Sequence, residues 1–127
     1  MVHPFRRAIE ARDLDAAVAL MREVVVFRSP VVFKPYHGRE AVRRLLEAVM
    51  AVFEDFRYVR EIGADISVGA HDHALVFETR VGDRQIEGCD FIHLDEDGAI
   101  SEFTVMVRPM SGMLALADAM KVQLATV

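Results

Sequence analysis

Between Gly38 and Phe53, six apolar residues recur at i, i+3, i+4, i+7, i+8 and i+11: Val42, Leu45, Leu46, Val49, Met50 and Phe53. That spacing places all six on one face of a helix, and a strand cannot use it. Glu40 and Arg44, and Arg43 and Glu47, stand four residues apart on the opposite, solvent side. The chain must therefore lay one long apolar stripe against a second layer, and the residues that follow supply it.

After this helix the pattern alternates in twos. Candidate strands run over 56–68, 73–81, 84–95 and 99–108, separated by GlyAlaHisAsp at 69–72, Gly82-Asp83, and GluAspGly at 96–98. Glycine at the first position of a two-residue loop suits a type II′ hairpin. Connections this short leave no room for crossover helices, so the strands form an antiparallel meander. Before the long helix, Phe5, Ala8 and Ile9 form a helical stripe after Pro4, and Asp13 caps a second one carrying Leu14, Ala17, Val18 and Met21. Val24–Phe27 reads as a strand stopped by Ser29-Pro30, and Val31–Phe33 as a second short strand. Ser111 is positioned to cap a final helix from Gly112 to Leu124, apolar nearly all round and therefore expected to be buried on two sides, one of them another subunit. The fold class is α+β.

At 127 residues, with no linker, repeat or low-complexity segment, residues 1–127 are expected to form a single domain. The net charge of −5, with basic residues scattered among acidic ones, argues against nucleic-acid binding. One cysteine, Cys89, excludes an intramolecular disulfide. No apolar run approaches a membrane span and the N-terminus lacks a signal-peptide core, so a cytoplasmic protein without a membrane partner is expected. No P-loop, GxGxxG or GxSxG occurs, and no cofactor is implied.

Strand 84–95 carries one residue out of place. Ile86, Gly88, Asp90, Ile92 and Leu94 share a face, apolar except for the carboxylate at its centre. A buried carboxyl is costly without partners. Protonated, Asp90 is an acid or an oxyanion donor; ionised, it is a base or a ligand anchor. The alternative is an ion pair with an arginine such as Arg80 or Arg108. HisAspHis at 71–73 contains metal-ligand types, but no third or fourth ligand stands at a recognisable spacing, so no metal site is assigned. Cys89 faces away from Asp90 and reads as an inert thiol.

The order of elements, carried by ARDLDAAVALM at 11–21, by residues 29–42 and by GCDFIHLDEDGAISEFTVMVRP at 88–109, resembles the nuclear-transport-factor-2-like superfamily, in particular its SnoaL-like, polyketide-cyclase-type branch. The resemblance implies a cone-shaped curved antiparallel sheet wrapped around the long helix, with N-terminal helices and a C-terminal helix, a pocket at the open end, and a homodimer formed through the sheet face. Steroid isomerases of the superfamily place an oxyanion-donating Asp eight residues before the Gly of a DEDG-like turn; counting back from Gly98 gives Asp90. Their general base, an Asp before a Pro, is replaced here by Ser29 before Pro30, and their helix tyrosine by Phe5. The resemblance thus implies a pocket for a small apolar molecule. Its chemistry would be cofactor-free acid/base catalysis by Asp90, assisted by Tyr36 or His37 at the mouth; the alternatives are ligand binding without catalysis and a dimeric interaction module whose pocket is vestigial. Ser29, Thr104, Met106 and Arg108 are further candidates for the pocket wall; the inward face of the last strand is left open between the set with Thr104, Met106 and Arg108 and the set with Phe103, Val105 and Val107.

Overall fold

The computed structural model describes residues 2–64 and 69–125. Its elements are α1 (Pro4–Glu10), α2 (Leu14–Ala19), β1 (Met21–Arg28), β2 (Tyr36–His37), α3 (Arg39–Val52), β3 (Glu54–Ile62), β4 (Asp72–Val81), β5 (Arg84–Leu94), β6 (Ile100–Arg108) and α4 (Met110–Ala125). Pro4 opens α1, where its missing N–H costs nothing, and the Phe5 N–H donates to His3 Nδ1 at 3.1 Å. Asp13 caps α2 by accepting from the Ala16 N–H at 3.0 Å, as its position predicts. α3 buries Val42, Leu45 and Leu46 of its stripe, together with Ala48. No helix among the described residues is long and apolar enough to cross a membrane.

The six strands form one curled, open sheet in the order β2-β1-β6-β5-β4-β3. β3 to β6 make the expected meander, and β1 closes onto β6 in parallel. Gly82 (φ 60) begins the β4–β5 hairpin while Asp83 keeps a negative φ, the type II′ arrangement. The end of the first expected strand, 65–68, lies outside the described residues.

Several segments differ from the sequence reading: Met21, expected on the second helix, opens β1, and β3 ends at Ile62, so Gly63 and Ala64 are not part of the strand expected there. Val31–Phe33 is not a strand, and β1 pairs with Tyr36–His37 instead. Prolines bracket the segment, and the Ser29 hydroxyl accepts from the amides of Val31 (3.3 Å) and Val32 (2.9 Å), donors that a ladder would need. α4 begins at Met110, with the Pro109 carbonyl accepting from the Met113 N–H at 2.9 Å, so Ser111 lies inside the first turn and is not the cap. One side of α4 packs closely on β5: a Cβ at Gly112 would lie 2.7 Å from Ile86 Cγ1. Met110, Leu114 and Val122 on the helix are exposed, so this chain buries one side of α4 only.

The inner face of the sheet, α1 and α3 enclose the core of Phe5, Met21, Val25, Phe27, Val42, Leu75, Phe77, Ile92, Ile100 and Phe103. On β5 the buried set is Ile86, Gly88, Asp90, Ile92 and Leu94, the face expected from alternation. A bulge between β5 and β6 shifts the register by one residue, between the pairs His93–Glu102 and Leu94–Ile100. Ile100 and Phe103 both point inward as a result, and Val105 and Val107 continue that face.

Candidate functional site

A cavity of about 710 Å³ opens between the inner face of the sheet, α1, α3 and α4. Its wall is mainly apolar, and Asp90 lies in it between Leu75 on β4 and Val105 on β6. Phe56 and Phe77, with ring centroids 5.0 Å apart, and Phe53 and Tyr58 beside them, build the aromatic surround. Gly88, two residues from Asp90 on the same face, is required by this packing: a Cβ there would stand 2.3 Å from Phe77 Cζ. The glycine leaves room for the end of the Phe77 ring two residues from the carboxyl.

Asp90 is 6% exposed, and the Tyr58 hydroxyl donates to its Oδ2 at 2.7 Å. Tyr58 is its one hydrogen-bond partner among the described residues, and no cation pairs with it there. Arg80 is committed to Asp55 (2.7 Å) and Glu54 (3.3 Å), and Arg108 to Glu87 (3.1 Å), so the ion-pair explanation of Asp90 does not hold. Loss of water raises the Asp90 pKa from 3.8 to about 7, opposed only by the Tyr58 hydrogen bond. The Tyr58 hydroxyl is pushed well above its ordinary range, first by burial and then by the neighbouring Asp90 charge. Near neutral pH the carboxyl is thus divided between its acid and its anion, and it can give or take a proton.

The candidate residues from the sequence fall into three groups. Asp90, Tyr36 and Ser29 line the cavity. Tyr36 packs its ring 6.5 Å from Phe27 and makes no hydrogen bond to Asp90, while the Ser29 hydroxyl is absorbed by its own turn. His37 is exposed and outside the wall. Thr104, Met106 and Arg108 point to the outer face of the sheet, Met106 at 59% exposure, so Phe103 and Val105 form the cavity side of β6. The HisAspHis residues separate: His73 is buried, Asp72 pairs with His93 across the ladder at 2.6 Å, and His71 meets the Leu94 carbonyl. Cys89 turns away from Asp90, its thiol raised by partial burial.

Tyr58 is the candidate-site residue that sequence reasoning misses. Its signal is faint, a tyrosine two positions after Phe56, because β3 carries a register shift right after it and its partner is 32 residues away.

No curated protein matches the chain. Among solved structures, a protein from Pseudomonas aeruginosa described as a steroid delta-isomerase is 42% identical, with a TM-score of 0.87 over 94% of this chain and 85% of that one. A protein from Silicibacter pomeroyi described as uncharacterised, with a cystatin-like fold, is 35% identical, with a TM-score of 0.87 over 97% and 84%. SalBIII, described as an epoxide hydrolase/cyclase-like enzyme in pyran ring formation in polyether salinomycin, shares the fold at 17% identity and a TM-score of 0.64, over 85% and 87%. The SnoaL-like domain family matches residues 2–103. With that match, the curled sheet and its neighbours among NTF2-like structures, the chain belongs to the SnoaL-like family.

Proposed function

We propose that the cavity takes a small, largely apolar molecule with a carbonyl-type oxygen, and that protonated Asp90 donates a hydrogen bond to that oxygen. The observation that carries this reading is a carboxyl buried on an apolar wall with one neutral partner and no cation. An apolar surround keeps such a group protonated and able to stabilise a developing oxyanion. With its pKa raised to about 7, the same group can return a proton in a later step, which suits cofactor-free acid/base chemistry such as isomerisation, cyclisation, dehydration or hydrolysis. The relative described as a steroid delta-isomerase supports an apolar ligand of this class.

A second reading is binding without turnover, favoured by Ser29. Its hydroxyl is held by Val31 and Val32, so the position supplies no base opposite Asp90. The two readings share one test, the affinity of a neutral apolar ketone as a function of pH. Binding should weaken as pH rises through about 7 in the wild type and be flat with pH in Asp90→Asn. Identical flat profiles would remove Asp90 from the site. Turnover of a ketone or enone by the wild type, lost in Asp90→Asn, would separate the enzyme from the binder.

The outer sheet face is proposed to meet a second copy. Phe91 and Met106 are exposed there, with Val76 and Cys89 beside them in one ladder. A solution mass of one chain by light scattering would refute the dimer.

A further inference from the structure

α1 ends in a way that favours glycine, yet it carries an arginine. The Arg12 N–H donates to the Ile9 carbonyl at 2.9 Å and the Asp13 N–H to the Ala8 carbonyl at 2.9 Å, the paired bonds of a Schellman cap. The first of the two donors, at C′, must be left-handed, and Arg12 has φ 55. Glycine takes that conformation freely, whereas a side chain is strained in it. Only one other non-glycine residue among those described has a positive φ, Asp55, and both border the cavity.

The cap aims Arg12 at the cavity mouth, where Nη2 donates to the Met50 carbonyl on α3 at 3.3 Å. Three other charged groups of the wall are held in ion pairs. Glu10 is held by Arg6, Asp55 by Arg80, and Arg57 by Glu78. Asp118 and Lys121 also line the wall, three residues apart on α4; Lys121 is a compact ammonium without the planar fork of a guanidinium. Arg12 has no acidic partner among the described residues. Local strain at a cavity rim, with a guanidinium beside it, motivates a binding role for this residue.

We infer that Arg12 is an anion anchor at the cavity mouth, so that the ligand is an amphipath: an apolar body with a carbonyl-type oxygen toward Asp90 and a carboxylate or similar anion at the Arg12 end. This rests on the cavity binding an apolar ligand, as proposed above. A guanidinium suits the task because its planar fork meets a carboxylate or sulfonate with two parallel hydrogen bonds.

The test uses two fluorescent probes that differ only in the anion, anilinonaphthalenesulfonate and neutral N-phenylnaphthylamine, on the full chain. Arg12→Gly and Arg12→Met should weaken the sulfonate probe about fivefold, within the range of an exposed charge-assisted contact, and change the neutral probe less than about twofold. Arg12→Lys should restore part of the loss, and rising salt should weaken the sulfonate probe alone. Arg12→Gly should also raise the melting temperature, since it relieves the cap, and this confirms that the variant is folded. Equal losses for both probes, or no loss for either, would overturn the anchor. The cavity-filling variant Ala117→Phe should exclude both probes; if a folded Ala117→Phe binds them unchanged, the cavity reading itself fails, independently of Arg12.

Discussion

Two polar clusters are buried among the described residues, and in each of them burial drives one group, Asp90 or His3, toward its neutral form. At the cavity, Asp90 is raised to about 7 and meets Tyr58. Near the start of the chain, His3 and His73 pack edge to face with centroids 4.8 Å apart. His3 Nδ1 accepts from the Phe5 amide, which assigns the proton of the neutral ring to Nε2; His73 Nε2 faces the Ala64 carbonyl and so carries its own proton there. The remaining His3 Nε2 and His73 Nδ1 are buried without partners. Burial, then the nearby His73, lower the His3 pKa to about 4, against a small opposing pull from Glu61. The clusters differ in access: Asp90 borders the large apolar cavity, whereas His3, the histidine whose pKa is lowered, borders neither that cavity nor the second pocket, of about 390 Å³, that His73 lines. A perturbed pKa marks a site only where something can reach the group.

The difference has opposite signs in pH. Between about pH 4 and 7 the folded chain keeps a proton on Asp90 that the unfolded chain has lost, so this contribution to stability falls as pH rises. Between about 4 and 6.5 the unfolded chain holds a proton on His3 that the folded chain refuses, so that contribution falls as pH drops. The largest expected effect is therefore Asp90→Asn, stabilising by up to about 4 kcal/mol above pH 7 and nearly neutral at pH 4, read by denaturant unfolding at both values. Gly88→Ala should cost about 1 to 3 kcal/mol at every pH, because the added Cβ meets the Phe77 ring. A His3 replacement such as His3→Asn, which keeps a capping side chain, should flatten the acid limb of the stability profile, a change on the order of 2 kcal/mol at pH 4. The smallest is Tyr58→Phe. It removes the bond that favours the Asp90 anion and should move the carboxyl titration up by about one unit. A downward shift would mean that Tyr58 does not donate to Asp90.

The helix stripe at 42–53 and the alternation of β5 were legible because each is a local period tied to one buried face. Asp90 was legible for the same reason, as the exception inside a regular pattern. The cavity face of β6 was not, because one bulge resets the alternation between Ile100 and Phe103 and no local residue announces it. Tyr58 was hidden by distance along the chain. His3 was hidden because a histidine near a terminus normally meets water, and here the β3–β4 wall removes it. Arg12 was hidden because Schellman caps are recognised by their glycine.

The most direct test of this account is the pKa of the Asp90 carboxyl by carbon-detected NMR, with Asp90→Asn identifying the resonance. A value near 7 in the free protein is expected, and it should rise further when a neutral apolar ketone binds, because the ligand selects the acid. A value at or below the ~3.9 of a free aspartate would contradict it, and Asp90 would then be a solvated or paired carboxylate with no role as a proton donor.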